Sequence, residues 1–338
     1  MQPKRNDSSR RVIFGDPGAG LCEKPKVAPA PANTLPADSS AATVSPMFEY
    51  ARPPPPARQQ RWLGLTSAMK LKPSPHSGHC GARKSKRLLG RRALVIGGES
   101  EMGRAAAIAF AAEGANVAFS FLPAAQSEAD EVARLIRRAG RKAIPLAGDL
   151  CDENACSQLV ADAVGELGGL DILVSNATRQ QAVADIEQMS TEQFDATFRS
   201  NIYAMFWLTK AALPHLGPGS SIINTSTPAG GDASDILLDY SATKGAIMVF
   251  TKSLAKQLAN RGIRVNAVAP EPIWTPLASS DDPVSGEQCE AGADDCIARF
   301  GRQAELASTY VLLASNESSY ATGQLYGAVG GPGSGCIP

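Results

Sequence analysis

From Arg91 onward the chain alternates between two hydrophobic patterns. Short, unbroken apolar runs predict strands over residues 93–96, 116–121, 142–146, 171–175, 221–225, 264–268 and 324–329. Between them, apolar positions recur at helical spacing, which predicts helices over 103–113, 128–138, 153–167, 191–213, 240–261 and 304–314. Gly114 and Gly140 stand where two of these helices should end. Strands that read as continuous apolar runs are buried on both faces. Their alternation with helices predicts an α/β fold: one doubly wound, Rossmann-like parallel sheet with helices on both sides. Ligands of such sheets bind at the carboxyl ends of the strands, so chemistry is sought in those loops.

Composition changes sharply near residue 88. Residues 1–87 are poor in aromatics and rich in Pro, Ala, Ser and basic residues, including the run Pro53 to Pro56. Such a segment buries too little apolar surface to offset its ordering entropy, so an extended or draped arm is expected there, with residues 88–338 as the folded domain. The start has no apolar core of a secretory signal, and Asp7, Asp16, Glu23 and Asp38 argue against a transit peptide. The 338 residues carry no formal net charge, which argues against a nucleic-acid or membrane-surface partner. No apolar run reaches the ~18 residues needed to cross a bilayer. Seven unpaired cysteines read as free thiols in a reducing compartment, the cytoplasm. His76, His79 and Cys80 lie close together without a second cluster, so no metal is expected. The basic cluster from Arg83 to Arg92 reads as a solvated entry segment, and Trp207 with its aromatic neighbours as core or subunit interface.

Candidate chemistry begins at the first strand-to-helix turn, Ile96-Gly97-Gly98-Glu99-Ser100-Glu101-Met102-Gly103. Glycines here let the backbone turn tightly and approach a pyrophosphate at the helix N-terminus; alone, the same pattern is equally a structural turn. Asp149, past the third strand, can accept from an adenine amino group or cap the helix that follows. The second strand ends in Ser120-Phe121-Leu122-Pro123, without the acid that binds the ribose hydroxyls of NAD, which tilts the expected cofactor from NAD to NADP. Tyr240 and Lys244 are four apart on a helix and share a face. A cation one turn away favours the tyrosinate and suits the Tyr for proton exchange. Thr227 ends a strand thirteen residues upstream, and Asn201 lies in the preceding helix.

With these residues the chain from about Gly90 to Gly331 resembles the short-chain dehydrogenase/reductase family. The resemblance rests on the Gly-rich turn, Asp149, Ser175-Asn176-Ala177, Asn201, the Tyr240/Lys244 pair and the run 264–270. Residues 179–181, 203–210 and 272–276 are similar to a narrower branch of general-stress and glucose/ribitol-dehydrogenase-like oxidoreductases, whose N-terminal arm 61–78 also resembles. In that branch the arm begins near Met47, which makes 1–46 either an extra extension or the product of a misplaced start codon.

The resemblance implies an NAD(P)-dependent enzyme interconverting a small alcohol and a carbonyl by hydride transfer. Tyr240 would be the general acid/base, Lys244 would lower its pKa and hold the nicotinamide ribose, Thr227 would bind the substrate oxygen and Asn201 would support a relay water. Gly97, Ser100, Glu101 and Gly103 would meet the pyrophosphate, Asp149 the adenine, and Asn176 and Ala177 would also bind the cofactor. Pro270 and Ile273 would lie beside the nicotinamide. A homodimer or homotetramer is implied as well. Three glycines of the family pattern are replaced, by Glu101, Thr178 and Glu271, and Thr227 stands for its catalytic Ser, with Ser226 one position early and facing away. Glu101 would bring like charge to the pyrophosphate, so the alternative is a folded but catalytically silent scaffold. The acidic stretch 278–295 is the expected substrate lid.

Overall fold

The structure is a computed structural model that describes residues 86–227, 236–270, 273 and 301–328. The expected N-terminal arm, Glu271 and the expected lid lie outside the described residues.

Seven strands and seven α-helices follow one another among the described residues. In chain order these are β1 (Arg92–Ile96), α1 (Glu101–Ala112), β2 (Asn116–Phe121), α2 (Gln126–Arg138) and β3 (Ala143–Ala147). Then come α3 (Glu153–Leu167), β4 (Ile172–Ser175), α4 (Thr191–Phe198), α5 (Ala204–Ala212) and β5 (Ser221–Thr225). The last are α6 (Leu238–Leu258), β6 (Arg264–Pro270), α7 (Gln303–Ala314) and β7 (Leu325–Ala328). The strands form one sheet in the order β3-β2-β1-β4-β5-β6-β7, and every pairing is parallel. This is the doubly wound arrangement, with its reversal of strand order between β1 and β4. The register aligns Ile96 with Ser175, Ser175 with Asn224 and Thr225 with Val268, so the carboxyl ends of the central strands open at one level.

Alternate residues of each strand face opposite sides, and both sides are covered. On one, Val95, Phe119 and Val174 meet Phe110 of α1, Ile136 of α2 and Tyr310 of α7. On the other, Leu94, Leu173 and Ile222 meet Leu159 of α3, Leu208 of α5 and Leu254 of α6. That double burial is why these strands read as unbroken apolar runs.

Two local features differ from expectation. The single helix expected over 191–213 is interrupted by a π-helical turn at Arg199–Tyr203. The wider turn shifts the helical phase by one residue and leaves Asn201 buried. The helix after β3 is capped by Asp152, whose carboxylate accepts from the N–H of Ala155, rather than by Asp149. Asp149 instead accepts from the N–H of Cys151 in a short side-chain turn, and its side chain stays exposed.

Candidate active site

The turn between β1 and α1 is built by backbone constraints. Gly97 sits at a φ of 70°, a left-handed conformation that disfavours side chains. A side chain on Gly103 would land on the carbonyl oxygen of Gly97, so no residue larger than Gly fits. Ser100 caps α1: its hydroxyl donates to the Gly97 carbonyl (2.6 Å) and accepts from the N–H of Gly103 (3.4 Å). The same hydroxyl accepts from the amide of Asn176 (2.7 Å), tying the turn to the end of β4. Ala177 lies directly behind Gly97. Gly97, Ser100, Gly103, Asn176 and Ala177, separated by up to 80 positions in the chain, thus form one cradle at the point where the strand order reverses.

The turn is also lashed to β2. The N–H of Gly97 donates to the Ser120 hydroxyl (3.0 Å), and that of Gly98 to the Ser120 carbonyl (2.9 Å). Glu99, which the sequence reading passed over, accepts from the N–H of Leu122 (3.2 Å), the residue just past β2. The end of β2 has no acid of its own, yet the fold brings one there. The signal was present in the sequence as an acid inside the Gly-rich turn.

Glu101 opens α1 with its side chain partly buried. Burial pushes its carboxyl up to about 7, helped by the charge of Glu99 and opposed by a backbone hydrogen bond and Arg104. Half of these groups are therefore neutral near pH 7. Thr178, another replaced glycine, is exposed.

The second half of the site joins β5, α6 and the π-turn. Lys244 is buried, its ammonium donates to the carbonyl of Thr225 (3.1 Å), and it lies 5.2 Å from the ring centre of Tyr240. Burial lowers its pKa to about 8. Ser226 donates its hydroxyl to the carbonyl of Lys244 (2.9 Å), so this hydroxyl is committed to the frame, and Thr227 follows it, half-buried. Pro270 ends β6 opposite Ala328, and Ile273 bridges to Gly301 and packs on the core.

Asn201 ties this half together. Its side-chain oxygen accepts from the N–H of Arg179 (2.7 Å), and its amide donates to the Arg179 carbonyl (3.0 Å) and to the hydroxyl of Thr243 (3.0 Å). Thr243 in turn donates to the carbonyl of Tyr240 (2.7 Å). Asp239, fully buried, accepts from the N–H of Tyr240 and the hydroxyl of Thr197. Thr243, Asp239 and Thr197 were not legible as parts of the site, because their importance lies in which loop they face. Replacing Asn201 with Ala removes three hydrogen bonds, two of them to a loop backbone. A loss of about 1–3 kcal/mol in urea-unfolding stability is expected, together with a looser Arg179 loop visible as faster amide exchange.

The residues present fit a dinucleotide in one respect that needs no analogy. The side-chain oxygen of Asn176 is buried in the cradle and has no hydrogen-bond partner among the described residues, so a donor is called for there. A parallel sheet with such a cradle at its switch point defines the class of doubly wound α/β proteins, in which ligands bind at this place.

Comparison with known proteins narrows this class. The family model described as enoyl-(acyl carrier protein) reductase matches residues 97–331. The uncharacterized oxidoreductase YhxD of Bacillus subtilis (strain 168) is 50% identical over 279 residues, covering 82% of this chain and 93% of that one. The glucose and ribitol dehydrogenase of Daucus carota is 39% identical over 282 residues, covering 82% and 96%. A short-chain dehydrogenase from Burkholderia cenocepacia J2315, solved in complex with NADP, superposes with a TM-score of 0.66 at 32% identity, covering 72% of this chain and 98% of that one. The chain belongs to the short-chain dehydrogenase/reductase family and is an oxidoreductase.

Proposed function

We propose that this oxidoreductase interconverts a small alcohol and the corresponding carbonyl compound, with Tyr240 as the general acid/base. The observation that carries this reading is the buried ammonium of Lys244 held against the Tyr240 ring. A cation in a poorly solvated site favours the tyrosinate over the neutral phenol, which suits the Tyr240 oxygen for proton exchange. Tyr240 then gives its phenolic proton to a carbonyl oxygen or takes one from a hydroxyl. Thr227, at the carboxyl end of β5, supplies a hydroxyl for the substrate oxygen. Asn201 holds the loop at Arg179 and, through Thr243, the first turn of α6 that carries Tyr240. This makes it a positioning residue as well as a support for a relay water.

The nicotinamide dinucleotide would be held by Gly97, Ser100, Gly103, Asn176 and Ala177, with Asp149 beside its adenine, Pro270 and Ile273 beside its nicotinamide, and Lys244 on its ribose. When bound, it supplies the hydride acceptor or donor. The protein's part is to orient the substrate, hold the proton at the Tyr240 oxygen and present Lys244.

Glu101 favours a second reading, a folded relative that no longer turns over, because its ionised form would face the pyrophosphate. The free thiols of Cys151 and Cys156 suit a reducing compartment such as the cytoplasm. Exposed Tyr203 and Phe206 on one helical segment and Val249 on α6 suit a homodimer or homotetramer.

Calorimetric titration of the purified chain with NADH and NADPH tests the enzyme reading. Micromolar binding of either supports it and leads to a screen of small alcohols, polyols, sugars and ketones. Absence of binding at millimolar cofactor, restored in Glu101→Gly, would instead establish the silent relative.

A further inference from the structure

The end of β2 is where a dinucleotide enzyme distinguishes a free ribose 2′-hydroxyl from a 2′-phosphate: an acid accepts from the hydroxyl and repels the phosphate. Read along the chain, β2 ends without an acid. In the fold, three contacts bring the Gly-rich turn onto this strand end. They are the bonds from Gly97 and Gly98 to Ser120 and the bond from Leu122 to Glu99. One carboxylate oxygen of Glu99 accepts from the Leu122 N–H, while the other is buried and has no side-chain partner among the described residues. A buried acceptor of this kind calls for a donor. A ribose hydroxyl is a donor, and a phosphate dianion is not.

The surrounding charges point the same way. Residues 116–127 contain no Lys or Arg. Arg104, the nearest cation along α1, is ion-paired with Glu131 of α2 (3.0 Å). Glu128, at the start of α2, adds negative charge close enough to raise the carboxyl of Glu99, behind the larger effect of burial and against the backbone hydrogen bonds that lower it. A 2′-phosphate, with a charge of about −1.5 to −2 at neutral pH by analogy with other phosphate monoesters, would meet acids here and no uncommitted base on these segments.

We infer that Glu99 is the residue that selects the cofactor, taking the place of the missing acid at the end of β2 and making the protein specific for NAD(H) over NADP(H). This reverses the preference expected from the sequence, and it sets the chain apart from the Burkholderia neighbour solved with NADP. The inference rests on the dinucleotide reading of the cradle.

Binding, rather than turnover, tests it. NADH and NADPH are titrated into the full chain and into Glu99→Gln, following quenching of protein fluorescence, with urea unfolding of both proteins as a check on folding. Gln retains a carbonyl oxygen for the Leu122 N–H but loses the negative charge. The parent is expected to bind NADH at least about tenfold more tightly than NADPH, and the variant to lose most of that ratio, NADPH tightening as NADH weakens. Equal or tighter NADPH binding by the parent overturns the inference while leaving the dinucleotide reading intact, as does an unchanged ratio in a folded variant. Binding of neither dinucleotide by parent or variant overturns both.

Discussion

Tyr240→Phe is expected to lower turnover by about 100- to 10,000-fold, the usual contribution of a positioned general acid/base, while leaving dinucleotide affinity close to that of the parent. The substitution removes one oxygen and keeps the ring that lies against Lys244. It also leaves intact the backbone bonds through which Asp239 and Thr243 hold the first turn of α6. Loss of rate without loss of binding assigns the proton to the phenol. Steady-state kinetics on the first substrate found, paired with cofactor titration, makes the measurement. Turnover within tenfold of the parent would place the proton exchange on another group.

The second large effect concerns Glu101 and depends on pH. Its carboxyl titrates near 4.5 in the unfolded chain and at about 7 in the fold, because burial penalises the charged form. The folded state therefore binds this proton more tightly. The stability it contributes is fully present below about pH 4.5 and is lost as pH rises through 7. The shift corresponds to about 2–3 kcal/mol, allowing for the solvent contact that the side chain keeps. Glu101→Gln keeps the shape and removes the titration. Against the parent, it should be stabilised by about that amount near pH 8 and scarcely at all near pH 4.5, as urea unfolding at the two pH values would show.

The same titration bears on the cofactor. Ionised Glu101 repels a pyrophosphate by about 1 kcal/mol or more, which is about fivefold or more in affinity. Dinucleotide binding by the parent should therefore weaken as pH rises through 7, and binding by Glu101→Gln should stay flat. A parent affinity that does not change across this range would mean that the carboxyl points away from the bound phosphates. The charged Glu101 that the sequence sets against activity is thus, in the fold, a group neutral about half the time near pH 7.

Most of the frame was legible from periodicity. The bounds of β2, α3 and β5 coincide with those expected, and the other strands differ by one or two residues at one end or both. This follows from the physics of a sheet buried on both faces, which demands unbroken apolar strands, and of helices that cover it with one apolar stripe. The four proposed chemistry positions, Thr227, Asn201, Tyr240 and Lys244, stand out in the sequence because their types and spacing resemble those of a recognisable family. What each does locally was harder to read. Asp149 and Asp152 are equally plausible caps in sequence, and only the backbone path after β3 gives the task to Asp152.

By itself, then, the sequence determined the order of strands and helices, the parallel doubly wound sheet and the cluster of candidate groups at its carboxyl edge. These follow from local propensity and hydrophobic period, which act over a few residues. Only the tertiary structure decided the burial of Lys244 against Tyr240, the inward turn of Asn201 at a π-helical step and the titration of Glu101 near neutral pH. It also decided that Glu99 would stand at the end of a strand twenty-three residues away. Solvation, charge proximity and hydrogen-bond partnership are set by distances between segments remote in the chain, and those distances come into being only when the strands pair in register.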